Sequence, residues 1–398
     1  MASEAFFSGF TNFLVIIIRF LISAFLARTL TLETMGKYQY YLSFVAFFQF
    51  VTLPGMNSAI TKGALKGYDT FLFVGIKRAF RTSLIFSVFI VFVAIISSRI
   101  LSNQDIFIGL LVCSFFIPLQ ALQKFDSFLL GKKKFFQSRS LTVLNVIFQG
   151  SLFYAILTFT KNIFFLLGAL FISNLIYVAI TYFMSKLFFK NSETDKKIDN
   201  SLNEIGIKLS FLQIFNQIVG NLDRIILGTM NPSILAIYHV GSIIPRSIKD
   251  NLKIILNVPI MHWGSLSKKE NLRNIKKYGF IFFLGGVGVT LGLWVLAEYL
   301  ILYFYGDKYT SSIMIIRFLS LSIPLKIFSA FIEFENIYQS GGGFYTKQTI
   351  IIKTIYLILM LYLVSNYQTL GIVIAYLVSD LLAFTFNMIY LIKKGNFG

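Results

Sequence analysis

Four ionisable residues of this chain, Arg246, Lys249, Asp250 and Lys253, stand at i, i+3, i+4 and i+7, and Asn257 continues the line. On a helix this spacing places them along one face, because residues three and four apart are neighbours there. The stripe begins just after Pro245 and is set in apolar sequence. One Asp cannot neutralise three cations, so the face keeps a net positive charge. Inside a membrane such a face suits a water-filled groove that receives an anionic headgroup. The alternative is a helix that ends early and leaves the stripe as solvated surface.

Other charges interrupt apolar runs in the same way. Arg19 lies between Ile-Ile-Ile and Phe-Leu-Ile, where a cation is costly and usually lines the bundle interior or a wet path. Asp223 and Arg224 are adjacent, so on a helix they point about 100° apart and would seek separate partners. Lys326, Lys353 and Asp380 could form an internal pair or a relay for protons or sodium, or a plain structural ion pair. Lys124, Asp126, Glu333 and Glu335 fall at segment ends, where snorkelling explains them equally well. Asp223, Asp250 and Asp380 are the candidate ion-coupling carboxylates. Arg19, Arg224, Arg246, Lys249, Lys253 and Lys326 are the candidate substrate-binding cations. Cys113 is the only cysteine, and His239 and His262 are far apart, so no metal site is expected.

The elements that must position these residues are membrane helices. Hydrophobic residues make up 56% of the 398 and charged residues only 13%, about half the share in a soluble protein. At roughly 20 apolar residues per span, about twelve spans are expected. They lie near 7–30, 38–61, 80–98, 106–130, 141–160, 163–189, 205–228, 233–260, 278–302, 312–338, 347–365 and 369–392. The runs are continuous rather than alternating, which excludes a β-barrel. Lys and Arg fall in every second gap: 21 lie in the even gaps and the C-terminal tail, against 4 in the odd gaps. Cytoplasmic loops retain such cations, so both termini are expected on the cytoplasmic side. The net charge of +19 is therefore mostly topological. Nucleic acid is dismissed as a partner, because no soluble segment is large enough to recognise it.

The longest hydrophilic stretch, 190–203, falls at the middle of the chain. It divides a six-span lobe at 1–190 from another at 204–398, with 191–203 as a cytoplasmic linker. A shift of 200 residues brings Thr29, Leu30, Met35, Gly36 and Tyr38 onto Thr229, Met230, Leu235, Ala236 and Tyr238. A second shift, of 209, brings Asp126, Phe135 and Phe136 onto Glu335, Phe344 and Tyr345. Two lobes with six spans each insert in the same orientation and would place a site at their interface. The gaps leave no room for a nucleotide-binding domain, and Gly131-Lys-Lys-Lys lacks the strand and the Ser or Thr of a phosphate loop. No catalytic motif occurs, so a secondary transporter is expected rather than an enzyme. The excess of cations in the spans favours an anionic cargo, since Coulomb attraction strengthens in low dielectric.

The segment Ala27-Arg-Thr-Leu-Thr-Leu-Glu-Thr-Met-Gly-Lys-Tyr-Gln-Tyr-Tyr-Leu-Ser resembles the hallmark joining the first two spans of bacterial polysaccharide flippases. Asn221-Leu-Asp-Arg-Ile-Ile-Leu-Gly and Leu235-Ala-Ile-Tyr are similar to its counterpart in their second half. Nearly the whole chain thus resembles the Wzx-type O-antigen flippases, relatives of the MATE drug exporters in one superfamily. The resemblance implies two six-helix lobes around a cation-lined cavity. It also implies translocation of undecaprenyl-diphosphate-linked oligosaccharide from the cytoplasmic to the periplasmic leaflet of the bacterial inner membrane. Arg19 and Arg224 match best by position. No cofactor is implied, but a proton or sodium gradient would drive the reset. Membrane lipids and the polysaccharide polymerase machinery would be partners. A cation-coupled multidrug exporter of the same fold is the alternative.

Overall fold

A computed structural model describes residues 2–101, 103–190, 196–263, 268–339 and 343–396. It describes their side chains too, except those of 2–6, 8, 101, 196, 212, 250, 252–263, 268–277, 331, 334–339, 343–346 and 393–396. The described residues are almost entirely helical, with no strand. Among them fourteen α-helices follow one another. They are α1 (Ala2–Thr29), α2 (Leu32–Phe48), α3 (Gly55–Leu65), α4 (Phe71–Leu101), α5 (Gln104–Leu122), α6 (Phe125–Gly131) and α7 (Phe135–Phe159). Then come α8 (Ile163–Phe188), α9 (Lys196–Met230), α10 (Pro232–Trp263), α11 (Lys268–Leu300), α12 (Ser312–Ser320), α13 (Ser322–Gln339) and α14 (Gly343–Asn396). The all-helical polytopic class expected from composition is what the chain adopts. By length and composition eight described segments can cross a bilayer, and a ninth if the bent α2–α3 pair counts as one. Helices α9 and α10 are as long but more polar.

Several helix starts are closed by side chains. Thr31 caps α2 by accepting from the Thr34 amide at 3.1 Å. Asn103 caps α5 and Asn162 caps α8. Asn231 accepts from the Ser233 amide, with Pro232 as the first residue of α10, a position where its missing N–H costs nothing. Short Asn and Thr caps satisfy amides that would otherwise be left unbonded at each helix start.

One span expected to be continuous is bent, and two others carry a local interruption while remaining single apolar segments, Gln104–Gly131 and Ser312–Ala330. The expected span 38–61 is α2, a 3-10 turn at Gln49–Thr52, and α3, bent by 49°. Its cause is local: Pro54 donates no backbone hydrogen bond, and Leu53 sits in the left-handed region at φ 52°. The expected span 106–130 is divided at Gln123–Lys124 between α5 and α6. The expected span 312–338 is divided at Leu321, three residues before Pro324. By contrast α14 runs through both of the last two expected spans and reverses at Gln368 (φ 47°, ψ −120°). Its two legs face each other: Gln348 donates to Asn387 at 3.1 Å, and the rings of Tyr356 and Tyr376 meet edge to face at 5.9 Å.

The chain forms two compact units, Met1–Ser233 and Ile234–Gly398. In the first, Met56, Ile60, Phe71, Phe125 and Phe128 build a buried core where α3, α4 and α6 meet. Outward faces carry bare apolar side chains such as Val88, Phe89 and Phe159, as lipid contact requires. Asp69, fully buried, ties three connections of this unit: one oxygen pairs with Lys132 at 2.5 Å, and the other accepts from the Lys190 amide at 2.9 Å. Helix α9 lies along α2 and α3. The Gly55 amide donates to Ser210, and the hydroxyls of Tyr40 and Thr229 share a hydrogen bond of 2.9 Å.

The closest approach in this unit is at Gly36 of α2, where a Cβ would stand 1.8 Å from the Pro232 carbonyl oxygen. A methyl group there must push two backbones apart, and overpacking of this kind costs about 1–3 kcal/mol. Gly36→Ala should therefore lower the thermal unfolding midpoint of the purified protein by several degrees. Gly168→Ala, with nothing within 4 Å, should leave the midpoint unchanged.

Candidate functional site

The second unit brings two of the stripe residues into a defined site. Lys249 of α10 is 5% exposed, and its ammonium donates to the Ser322 hydroxyl on α13 at 2.8 Å. It also lies 3.6 Å from the Asp380 carboxylate and 4.0 Å from the centre of the Tyr376 ring, both on the second leg of α14. Tyr376 and Asp380 are four residues apart, so one helix face presents ring and carboxylate together. Arg246, one turn earlier on α10, donates to the Tyr238 hydroxyl at 2.5 Å. Its guanidinium lies over the Tyr238 and Tyr376 rings, at 5.3 and 5.9 Å. Arg246 and Lys249 thus share the Tyr376 ring, a contact that lowers the cost of holding a cation in low dielectric.

This geometry corrects the sequence reading in three places. Asp380 pairs with Lys249, not with Lys326 or Lys353. Lys249 is therefore half of an ion pair, and the stripe carries less uncompensated charge than its composition implies. Lys326 bonds instead to Glu333 at 2.8 Å, seven residues on along α13. Glu333, at 8% exposure, does not snorkel. Lys124 does not snorkel either. It is 3% exposed and donates to the Leu53 carbonyl at 3.1 Å and to Asn57 at 3.0 Å, covering the break between α2 and α3. The side chains of Asp250, Lys253 and Glu335 lie outside the described residues.

The first unit holds Arg19, Asp223 and Arg224. Arg19 stands midway along α1. Its side chain is exposed, and Tyr177 of α8 is within its electrostatic reach. Asp223, at 1% exposure, accepts from the Arg224 amide at 2.8 Å. Among the described residues no group of three or more His, Cys, Asp or Glu could hold a metal ion.

Sequence reasoning passed over Tyr376, Tyr238, Ser322 and Asp69. The first had a signal: a tyrosine one turn before the only carboxylate in an apolar helical leg. Asp69 was the one acidic residue amid the cations of its gap.

These features define a class. The molecule is a polytopic helical membrane transporter, with ion pairs and aromatic-held cations carried inside its units. The chain belongs to the polysaccharide biosynthesis protein family, whose model matches residues 25–314. None of the curated proteins matches it in sequence. Its fold is shared with the lipid II flippase MurJ in an inward closed conformation. That match has a TM-score of 0.77 at 14% identity, over 98% of this chain and 89% of the other. It is also shared with the MATE multidrug transporter DinF-BH, at 0.65 and 13% identity, over 98% and 94%. A MOP superfamily transporter from Pyrococcus furiosus matches at 0.57 and 14% identity, over 98% and 96%. At such identities the likeness is one of fold alone.

The ion pair is testable by itself. Lys249→Met or Asp380→Leu strands one buried charge, at a cost of about 3–5 kcal/mol, while replacing both removes the pair without stranding either. Each single variant should unfold well below the wild type in a thermal melt, and the double variant should recover most of the loss.

Proposed function

We propose that this protein is an alternating-access flippase in the bacterial inner membrane. Its cargo is undecaprenyl-diphosphate-linked oligosaccharide of the O-antigen repeat type, moved from the cytoplasmic to the periplasmic leaflet. The observation that carries the reading is the pairing of family membership with cations held by tyrosines. Arg246, with Lys249 beside it on the Tyr376 ring, is a charged donor set suited to phosphate oxygens. Arg19 offers a further accessible guanidinium in the first unit. The polyprenyl tail stays in lipid throughout, so only the charged and sugar parts need a polar route.

In this reading twelve spans form two six-helix lobes, 1–190 and 204–398, joined by 191–203, with both termini cytoplasmic. The family's place in polysaccharide biosynthesis and the 21-to-4 loop asymmetry support this layout. Arg224, Lys253 and Lys326 are secondary candidates for contact with cargo. Lys326 is the weakest of them, because its ammonium already serves Glu333. Asp380 is the coupling candidate best supported by geometry: its pair with Lys249 is loose at 3.6 Å, and protonation would release the ammonium. Asp223 and Asp250 are the other coupling candidates. Polymerase machinery would take up the delivered repeat unit.

A multidrug exporter of the same fold would need uncompensated carboxylates for cationic drugs, and Asp380 is already answered by an ammonium. The test is reconstitution of the full chain in vesicles with a fluorescent undecaprenyl-diphosphate oligosaccharide. The wild type should equilibrate the lipid across leaflets. Arg246→Ala should slow it by about tenfold or more, as expected for loss of a charge-assisted hydrogen bond. Vesicles indistinguishable from protein-free ones would sink the reading, and uptake of a cationic dye instead would favour the exporter.

A further inference from the structure

A second polar cluster lies wholly within the first unit and takes no part in the ion pairs described above. Asp126, in the first turn of α6, accepts from the Ser138 hydroxyl of α7 at 2.5 Å and lies within electrostatic reach of the Tyr177 hydroxyl of α8. Arg139, beside Ser138, is within electrostatic reach of Asp126 and Tyr177. Thr142, one turn further along α7, lies 3.4 Å from the same tyrosine oxygen. One turn back along α8, Asn174 accepts from Gln123 at 2.9 Å. Helices α6, α7 and α8 therefore bring polar groups together in an apolar bundle, with Arg19 of α1 within electrostatic reach of Tyr177.

Three properties mark this cluster as more than a structural ion pair. The Arg139 Nε and the Gln120 side-chain oxygen, the latter one turn before Gln123 on α5, are buried with no hydrogen-bond partner in the structure. Buried polar atoms are nearly always satisfied, so such a donor and acceptor point to a ligand or ordered water. Asp126, Arg139 and Tyr177 are each partly exposed, and Arg19 is exposed, so the cluster is open to a ligand. Its donors and acceptors are mixed, with a carboxylate, a guanidinium, amides, hydroxyls and an aromatic ring. Bare phosphate needs only cations, and a lipophilic drug needs mainly apolar surface. Sugar hydroxyls need this mixture, because each both donates and accepts.

We propose that Asp126, Arg139 and Tyr177 form a saccharide-binding subsite in the first unit. The inference rests on the flippase reading and extends it: Arg19 meets the diphosphate, and this cluster takes the first sugars. By the loop charges, Asp126 and Ser138 lie toward the cytoplasmic end and Arg19 lies at mid-membrane, so the cluster makes a polar ladder inward from the loading side.

The test uses the full chain in nanodiscs and two probes, undecaprenyl diphosphate alone and the lipid-linked oligosaccharide extracted from host cells. The wild type should bind the glycosylated lipid about tenfold more tightly, an increment on the scale of one or two hydrogen bonds to charged groups. Tyr177→Phe, which removes one hydroxyl, and Asp126→Asn should each bring that ratio to about 1–2, while affinity for the bare lipid is kept. Retained bare-lipid affinity also shows that the variants are folded. A tenfold preference surviving both substitutions overturns the inference and leaves a structural, hydrated cluster. No preference in the wild type overturns it as well. Wild type that binds neither lipid takes down the flippase reading itself.

Discussion

Inside a bilayer no water answers a free carbonyl or a charged side chain, so another part of the same chain must do so. Much of this structure follows from that requirement. Pro54 and the left-handed Leu53 break the helix that would run from α2 into α3, and at the break the Leu53 carbonyl keeps one amide donor, that of Met56 at 2.9 Å. Lys124 arrives from the α5–α6 connection and donates to the same carbonyl. Asp69 plays the same part for the loops, where one buried carboxylate holds a lysine side chain and a backbone amide from two later connections.

The cations of this chain divide by environment rather than by residue type. Most stand within the α-helices, and the rest in the connections. Some within helices are already answered: Lys326 by Glu333, Lys249 by Asp380 and Ser322, Lys124 by a carbonyl and an amide. Arg246 is held by tyrosines, and a ring contact lowers the cost of burying a cation. The Lys249–Asp380 pair, at 3.6 Å, lies next to it.

The fold is common to structures of a lipid flippase and of multidrug exporters, so the backbone alone does not select a cargo. Selection rests on which polar side chains the helices carry inward. In the second unit these are cations and tyrosines. In the first they are a mixed set around Asp126 and Tyr177, closer in chemistry to a sugar than to a phosphate. Long unbroken apolar faces such as that of α4 carry no such information and serve as lipid contact.

Sequence alone determined the helical membrane class and the approximate place of most spans, because those depend on local hydrophobicity. It also picked out Arg19, Arg246, Lys249 and Asp380 as residues out of place in apolar surroundings. The break at Pro54 had a visible signal, whereas the turn at Gln368 inside a long apolar run had almost none. Only the tertiary structure decided partners. Lys249 meets Asp380 from 131 positions away, and Arg246 meets Tyr376 from 130. Such meetings depend on how each helix is rotated about its own axis, and that rotation is set by packing against neighbours, which no local pattern records.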